Sequence, residues 1–73
     1  MQKIVKEKVM SIDEIYSLVE EIEKDKRWLF IVYPKRKRVG VDVLDWESED
    51  CVDGGWFNSK QEAFDFIKKY KNL

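Results

Sequence analysis

Between Trp28 and Trp46 the chain reads WLFIVYPKRKRVGVDVLDW, two strongly β-prone runs separated by four consecutive basic residues. Aromatic and β-branched residues suit a pleated, half-buried surface, and a polar break between two such runs marks a hairpin. Lys35, Arg36, Lys37 and Arg38 would form its tip. The chain then enters its most acidic stretch, Asp45 to Asp53. The two ends of the second strand therefore carry opposite charge. That layout suits contact with another molecule.

Length limits what else can be built. A chain of 73 residues makes one domain with one small core, and buries only roughly 60 % of its unfolded surface. Cys51 is the single cysteine, so no internal disulfide can form, and the lone thiol fits a reducing compartment. With no histidine and no second cysteine, a structural zinc site is excluded. Packing must carry the fold, and ten aromatic residues are available for it. No apolar run approaches a membrane span, and residues 1–9 alternate lysine with apolar residues, unlike a signal peptide. A cytosolic protein without a membrane partner is expected.

The pattern along the chain predicts an α+β fold. Gln2 to Val9 is a candidate edge strand or tail. Ser11 and Glu14 are spaced as a capping box, and Met10 can staple against Ile15. Ile12, Ile15, Tyr16, Val19 and Ile22, with Leu18 beside them, follow helical spacing to about Lys26. Trp28 to Tyr33 is apolar on both alternating faces and reads as an interior strand covered on both sides. Val39, Val41 and Val43 give the next strand one clean apolar face. Asp53-Gly54-Gly55 reads as a turn, with Trp56-Phe57 as a third short strand. Ser59 and Glu62 then open a second helix whose inner face is Ala63, Phe64, Phe66, Ile67 and Tyr70. The order is (β)-α-β-β-β-α: a mainly antiparallel sheet of three or four strands with both helices on one face.

Catalysis finds little support. Without histidine the Ser-His and Cys-His nucleophile arrangements are absent. A carboxylate pair drawn from Asp42, Asp45 and Glu47 would need a cleft, which a small sheet offers poorly. Acidic neighbours Glu49, Asp50 and Asp53 should blunt the Cys51 thiol. Counting an EF-hand loop from Asp45 puts Asp50 where glycine is required and Trp56 where glutamate is required. No metal, no cofactor and no enzymatic activity are expected.

Two kinds of partner remain. Residues 26–38 carry six cations and no acid, with Lys35, Arg36, Lys37 and Arg38 at the tip, and Trp28, Phe30, Trp46 and Trp56 could stack on bases from an open sheet face. The α-β-β-β-α order resembles, in topology, the double-stranded RNA-binding domain. That family grips phosphates with a lysine-rich start to its second helix; here Ser59, Lys60, Gln61, Glu62 and Ala63 stand there, and the first helix is acidic. An overall pI near 5.4 also weighs against this reading.

The other partner is a protein. Residues 42–53 carry six acids and no cation, interleaved with large apolar residues. Asp42, Asp45, Trp46, Glu47, Glu49, Asp50, Asp53 and Trp56 would combine an acidic rim with tryptophan anchors, and tryptophan is enriched in interface hot spots. Such a surface could occupy a groove built for phosphates, as small phage-type inhibitors that mimic DNA do, although no motif ties the chain to one. The sequence thus favours a non-enzymatic protein-binding module, an inhibitor or adaptor, over nucleic-acid binding through the hairpin tip. Apolar residues on both sheet faces would also suit a homodimer, with small-ligand capture at its interface as a third option.

Overall fold

The computed structural model describes residues 10–73. Among them run α1 (Ile12–Glu23), β1 (Trp28–Pro34), β2 (Val39–Asp45), β3 (Cys51–Phe57) and α2 (Lys60–Lys68), which continues into a 3₁₀ turn, Lys69–Asn72. The strands form one antiparallel sheet in the order β1-β2-β3. The expected α+β class and element order are those of the structure. The candidate edge strand over Gln2 to Val9 lies outside the described residues.

Helix α1 begins where its cap dictates. The Ser11 N–H donates to Glu14 Oε2 at 3.0 Å, and Ser11 Oγ accepts the Asp13 N–H at 3.1 Å, within a complete capping box. Ile15, Leu18, Val19 and Ile22 form its buried stripe. Tyr16, expected on that stripe, is exposed; one residue beyond Ile15 it is turned about 100° around the axis. The helix ends at Glu23 rather than near Lys26. The Asp25 and Lys26 N–H groups donate to the Ile22 and Glu23 carbonyls, tightening the last turn, and Lys26 adopts φ 57° to redirect the chain.

Strand register decides which side chains share a face. Phe30 lies opposite Val43 and Val32 opposite Val41, while Val41 faces Gly55 and Val39 faces Phe57. Phe30, Val39, Val41 and Val43 join α1 and the residues Ala63, Ile67 and Tyr70 in one core, with Val32 and Phe57 packed against it. Both helices therefore cover the same side of the sheet. At the start of α2 Ser59 Oγ accepts the Glu62 N–H at 3.1 Å, one half of the expected capping box.

Two strand expectations are corrected. Among the described residues the run Trp28 to Tyr33 is an edge strand paired with β2 alone, and it is not covered on both sides, since Ile31 and Tyr33 are exposed. Strand β2 takes the centre because both of its neighbours reach it through short turns, and only alternate residues of β1 meet the helices. The Phe30 N–H donates to Glu23 Oε2 at 3.0 Å, tying this edge strand to the end of α1. Asp53-Gly54-Gly55 lies inside β3 and is not a turn. The reversal comes earlier, where the Asp45 carboxylate accepts the Glu47 and Ser48 N–H groups at 3.1 and 3.0 Å and Glu49 adopts φ 62°. None of the glycines has a positive φ. Gly54 serves close approach instead: a Cβ there would stand 2.8 Å from the Val41 carbonyl oxygen.

Candidate functional site: the uncovered sheet face

The side of the sheet away from the helices has no cover among the described residues. Three rows cross it: Tyr33, Gly40 and Trp56; Ile31, Asp42 and Gly54; Leu29, Leu44 and Cys51. Val52 is the extra residue of a bulge beside Leu44. Ile31 is 41 % exposed, Trp56 51 % and Val52 52 %. Single exposed apolar residues are ordinary, but several sharing one face form a patch of the kind that marks interaction sites.

Each row has its own chemistry. Gly40 leaves room for the Trp56 indole, since a Cβ at Gly40 would meet the ring at 2.8 Å. Tyr33 lies beside that indole with ring centroids 6.2 Å apart, and the Arg38 guanidinium stands 5.0 Å from the ring centroid. The Tyr33 hydroxyl donates to Asp42 Oδ2 at 2.9 Å, which pushes the tyrosine pKa up.

The eight acidic and tryptophan residues singled out above are not assembled into one surface. Asp45, Trp46, Glu47, Glu49 and Asp50 gather at the β2–β3 turn. Of these, Asp45 is occupied by the turn, and the donors from Ser48 and Glu47 hold its carboxyl below the usual range. Trp46 is half-buried, with its N–H on the Arg27 carbonyl at 3.1 Å. Glu47, Glu49 and Asp50 are exposed at the surface. Asp42 lies mid-strand on the uncovered face. Asp53 points to the helix side, and Trp56 sits at the far end beside Arg38. Seven residues of β2 separate the two ends, about 20 Å at strand rise.

The basic block is likewise divided. Lys35 to Arg38 form the β1–β2 tip, closed by a 2.9 Å bond from the Lys35 N–H to the Arg38 carbonyl. Lys26 and Arg27 stand at the opposite, acidic end, where Arg27 lies 3.8 Å from Asp25. At the tip, a hollow of about 470 Å³ opens between the four basic residues and the start of α2, and Lys60 also lines it. Of the aromatic residues considered for stacking, Trp28 and Phe30 are turned inward, in edge-to-face contact with Tyr70 at 5.2 and 5.9 Å. Trp56 lies on the uncovered face, and Trp46 stands at the β2–β3 turn. Tyr33, Ile31 and Lys60 were not singled out from sequence; the dual apolar faces of β1 were the available signal for the first two.

Tyr70 and Asp53 form a structural pair on the helix side. The Tyr70 hydroxyl donates to Asp53 Oδ2. That bond and the Gly54 N–H hold the Asp53 carboxyl below its usual range, while burial and then Asp53 push Tyr70 up to about 12. A raised folded pKa stabilises the fold below the unfolded value near 10 and loses that contribution as pH climbs toward 12. Ultraviolet titration should therefore show Tyr70 ionising in a late alkaline phase, and unfolding stability should fall in that alkaline window. Tyr70→Phe should remove the late phase; an unchanged late phase would contradict the assignment.

Among the described residues no group of three or more His, Cys, Asp or Glu side chains is placed to hold a metal ion, and no helix is long and apolar enough to cross a membrane. No solved structure matches the chain. Over 60 residues it is 42 % identical to the uncharacterized 7.9 kDa protein of the cd-pseT intergenic region of Enterobacteria phage T4, an alignment covering 81 % of this chain and 91 % of that protein. The profile of a family named after a bacteriophage T4 protein matches residues 10–73, which take in both helices, all three strands and the uncovered face, so the chain belongs to that phage protein family.

Proposed function

We propose that this phage-type protein is a non-enzymatic protein-binding module, an adaptor or inhibitor, that docks its uncovered sheet face and adjoining acidic turn onto a basic surface of a partner protein. The observation that carries the reading is the exposure of Ile31 and Val52 on a sheet face without cover among the described residues, next to Glu47, Glu49 and Asp50. Apolar burial would supply affinity, and the acidic turn would steer a cationic partner and reject acidic ones. A groove built for phosphates is a partner surface of that kind. The carboxylates nearest the patch have other duties: Asp45 holds the turn and Asp42 accepts from Tyr33.

The test compares tagged wild-type chain with a Glu47→Lys/Glu49→Lys/Asp50→Lys variant in nuclease-treated lysate of the native host. A protein band that withstands nuclease and weakens at least about tenfold on charge reversal is the expected result. Equal capture by the reversed variant, or capture that nuclease abolishes, would contradict the reading. Sedimentation of the purified chain distinguishes a self-association through the same face.

A further inference from the structure

We propose that the opposite, basic end of the sheet is a separate site for single-stranded nucleic acid, with backbone phosphates in the hollow at the β1–β2 tip and a base stacked on Trp56. Two independent observations converge there. First, Lys35, Arg36, Lys37, Arg38 and Lys60 line one hollow of about 470 Å³, and no acidic side chain among the described residues lines it. Neither of the ion pairs among the described residues involves any of these five. Five cations around one concavity repel one another, and a chain of phosphates relieves that repulsion while releasing its own counterions.

Second, a stacking platform adjoins the hollow. Trp56 is half exposed on the uncovered face, and Gly40 beneath it keeps the indole low on the sheet. Arg38 belongs to both places: it lines the hollow and its guanidinium lies over the Trp56 ring, 5.0 Å from the centroid, so a base reaches the indole by displacing it. A nucleotide whose base meets the indole would thus have its phosphate beside a guanidinium. Every base has a π-face, so recognition of this kind tolerates sequence and requires unpaired bases. A duplex would offer phosphates to the hollow but no base to Trp56. This site lies about 20 Å along β2 from the acidic turn, and Trp56 is the one residue it shares with the protein-docking face.

The experiment is fluorescence anisotropy of the purified full chain with a labelled oligothymidylate of about ten nucleotides, a length within the reach of small stacking sites. Affinity should fall between about 50 and 200 mM salt with a logarithmic slope near −2, as for about three neutralised phosphates on a single strand. Lys35→Ser/Arg36→Ser/Lys37→Ser should weaken binding at least about tenfold and flatten that slope. Trp56→Ala should weaken it about 5- to 100-fold and leave the slope unchanged, with Trp56→Phe restoring most of the loss. Circular dichroism of each variant checks that the fold persists; both sites are at the surface. Absence of binding at about 100 µM protein in low salt, or binding indifferent to the tip substitutions, would overturn the proposal. Equal affinity for a duplex of the same length, or displacement by tripolyphosphate at equal phosphate concentration, would overturn it as well, because neither ligand can use Trp56.

Discussion

Ile67→Ala is expected to lower the urea midpoint by roughly 2–5 M, given a loss of about 2–5 kcal/mol for such a truncation and a slope near 1 kcal/mol per molar for a small domain. The Ile67 side chain has no exposed surface, and it joins Ile15, Ile22, Val41 and Val43 among the largest fully buried residues. It reaches the sheet from α2 at the point where α1 also closes on the core, so its removal leaves a cavity that neither helix can fill without shifting. A domain of this length has total stability of about 4–11 kcal/mol, so the truncation should remove a large fraction of it. Tyr16→Ala is the matched control. That ring projects from α1 into solvent, and its loss should change stability by less than about 0.5 kcal/mol. Equal midpoints for the two variants would contradict the assignment of the core.

The second large effect is expected at Gly54. A Cβ there meets the Val41 carbonyl oxygen at 2.8 Å and Asp42 Oδ1 at 3.0 Å. The carbonyl belongs to the central strand, so it cannot retreat without disturbing the β2–β3 ladder. Gly54→Val should therefore destabilise by about 1–3 kcal/mol despite the strand preference of valine. Gly40→Ala makes an equally short contact, but with the Trp56 ring. An exposed ring can swing away. That variant should keep most of its stability while changing tryptophan emission and separating Arg38 from the indole. Thermal melts of the two variants, read with emission spectra, check the contrast; a Gly40→Ala variant less stable than Gly54→Val would contradict it.

The readable parts of the sequence were those governed by local chemistry. The Ser11–Glu14 cap, the stripe Ile15, Leu18, Val19 and Ile22, and the alternation of Val39, Val41 and Val43 each report a nearest-neighbour preference, and each appears in the structure where spacing placed it. The misread parts depend on long-range pairing. WLFIVY is apolar on both faces, which suits a central strand; its edge position among the described residues follows from β2 being held by two tight turns, which no residue within β1 encodes. Asp53-Gly54-Gly55 has turn composition, yet its glycines answer to the Val41 carbonyl and the Phe57 ring across and along the sheet. The real turn was masked because Asp45 makes it with a side chain.

The candidate site was legible in charge and illegible in arrangement. Acidic and basic segments alternate along the chain, and the structure does place Glu47, Glu49 and Asp50 at one end of the sheet and Lys35 to Arg38 at the other. Trp56 follows the acidic segment in sequence, but β3 runs antiparallel to β2 and carries it back to the basic end. Asp53 is three residues from Trp56 and points to the other face, because the two differ by an odd number of strand positions. Folding thus converts a single linear acidic-aromatic motif into two ends of a sheet joined by an apolar face.

That apolar face is the centre of the account, and Ile31 tests it most directly. Nuclease-treated capture should be compared for wild type, Ile31→Lys and Tyr16→Lys. Both variants exchange an exposed apolar side chain for the same cation, one on the uncovered sheet face and one on α1. Ile31→Lys should lose the partner band at least about tenfold, while Tyr16→Lys retains it, as expected for a desolvated contact at the centre of an interface. Equal capture by both variants, with circular dichroism like that of wild type, would contradict the account.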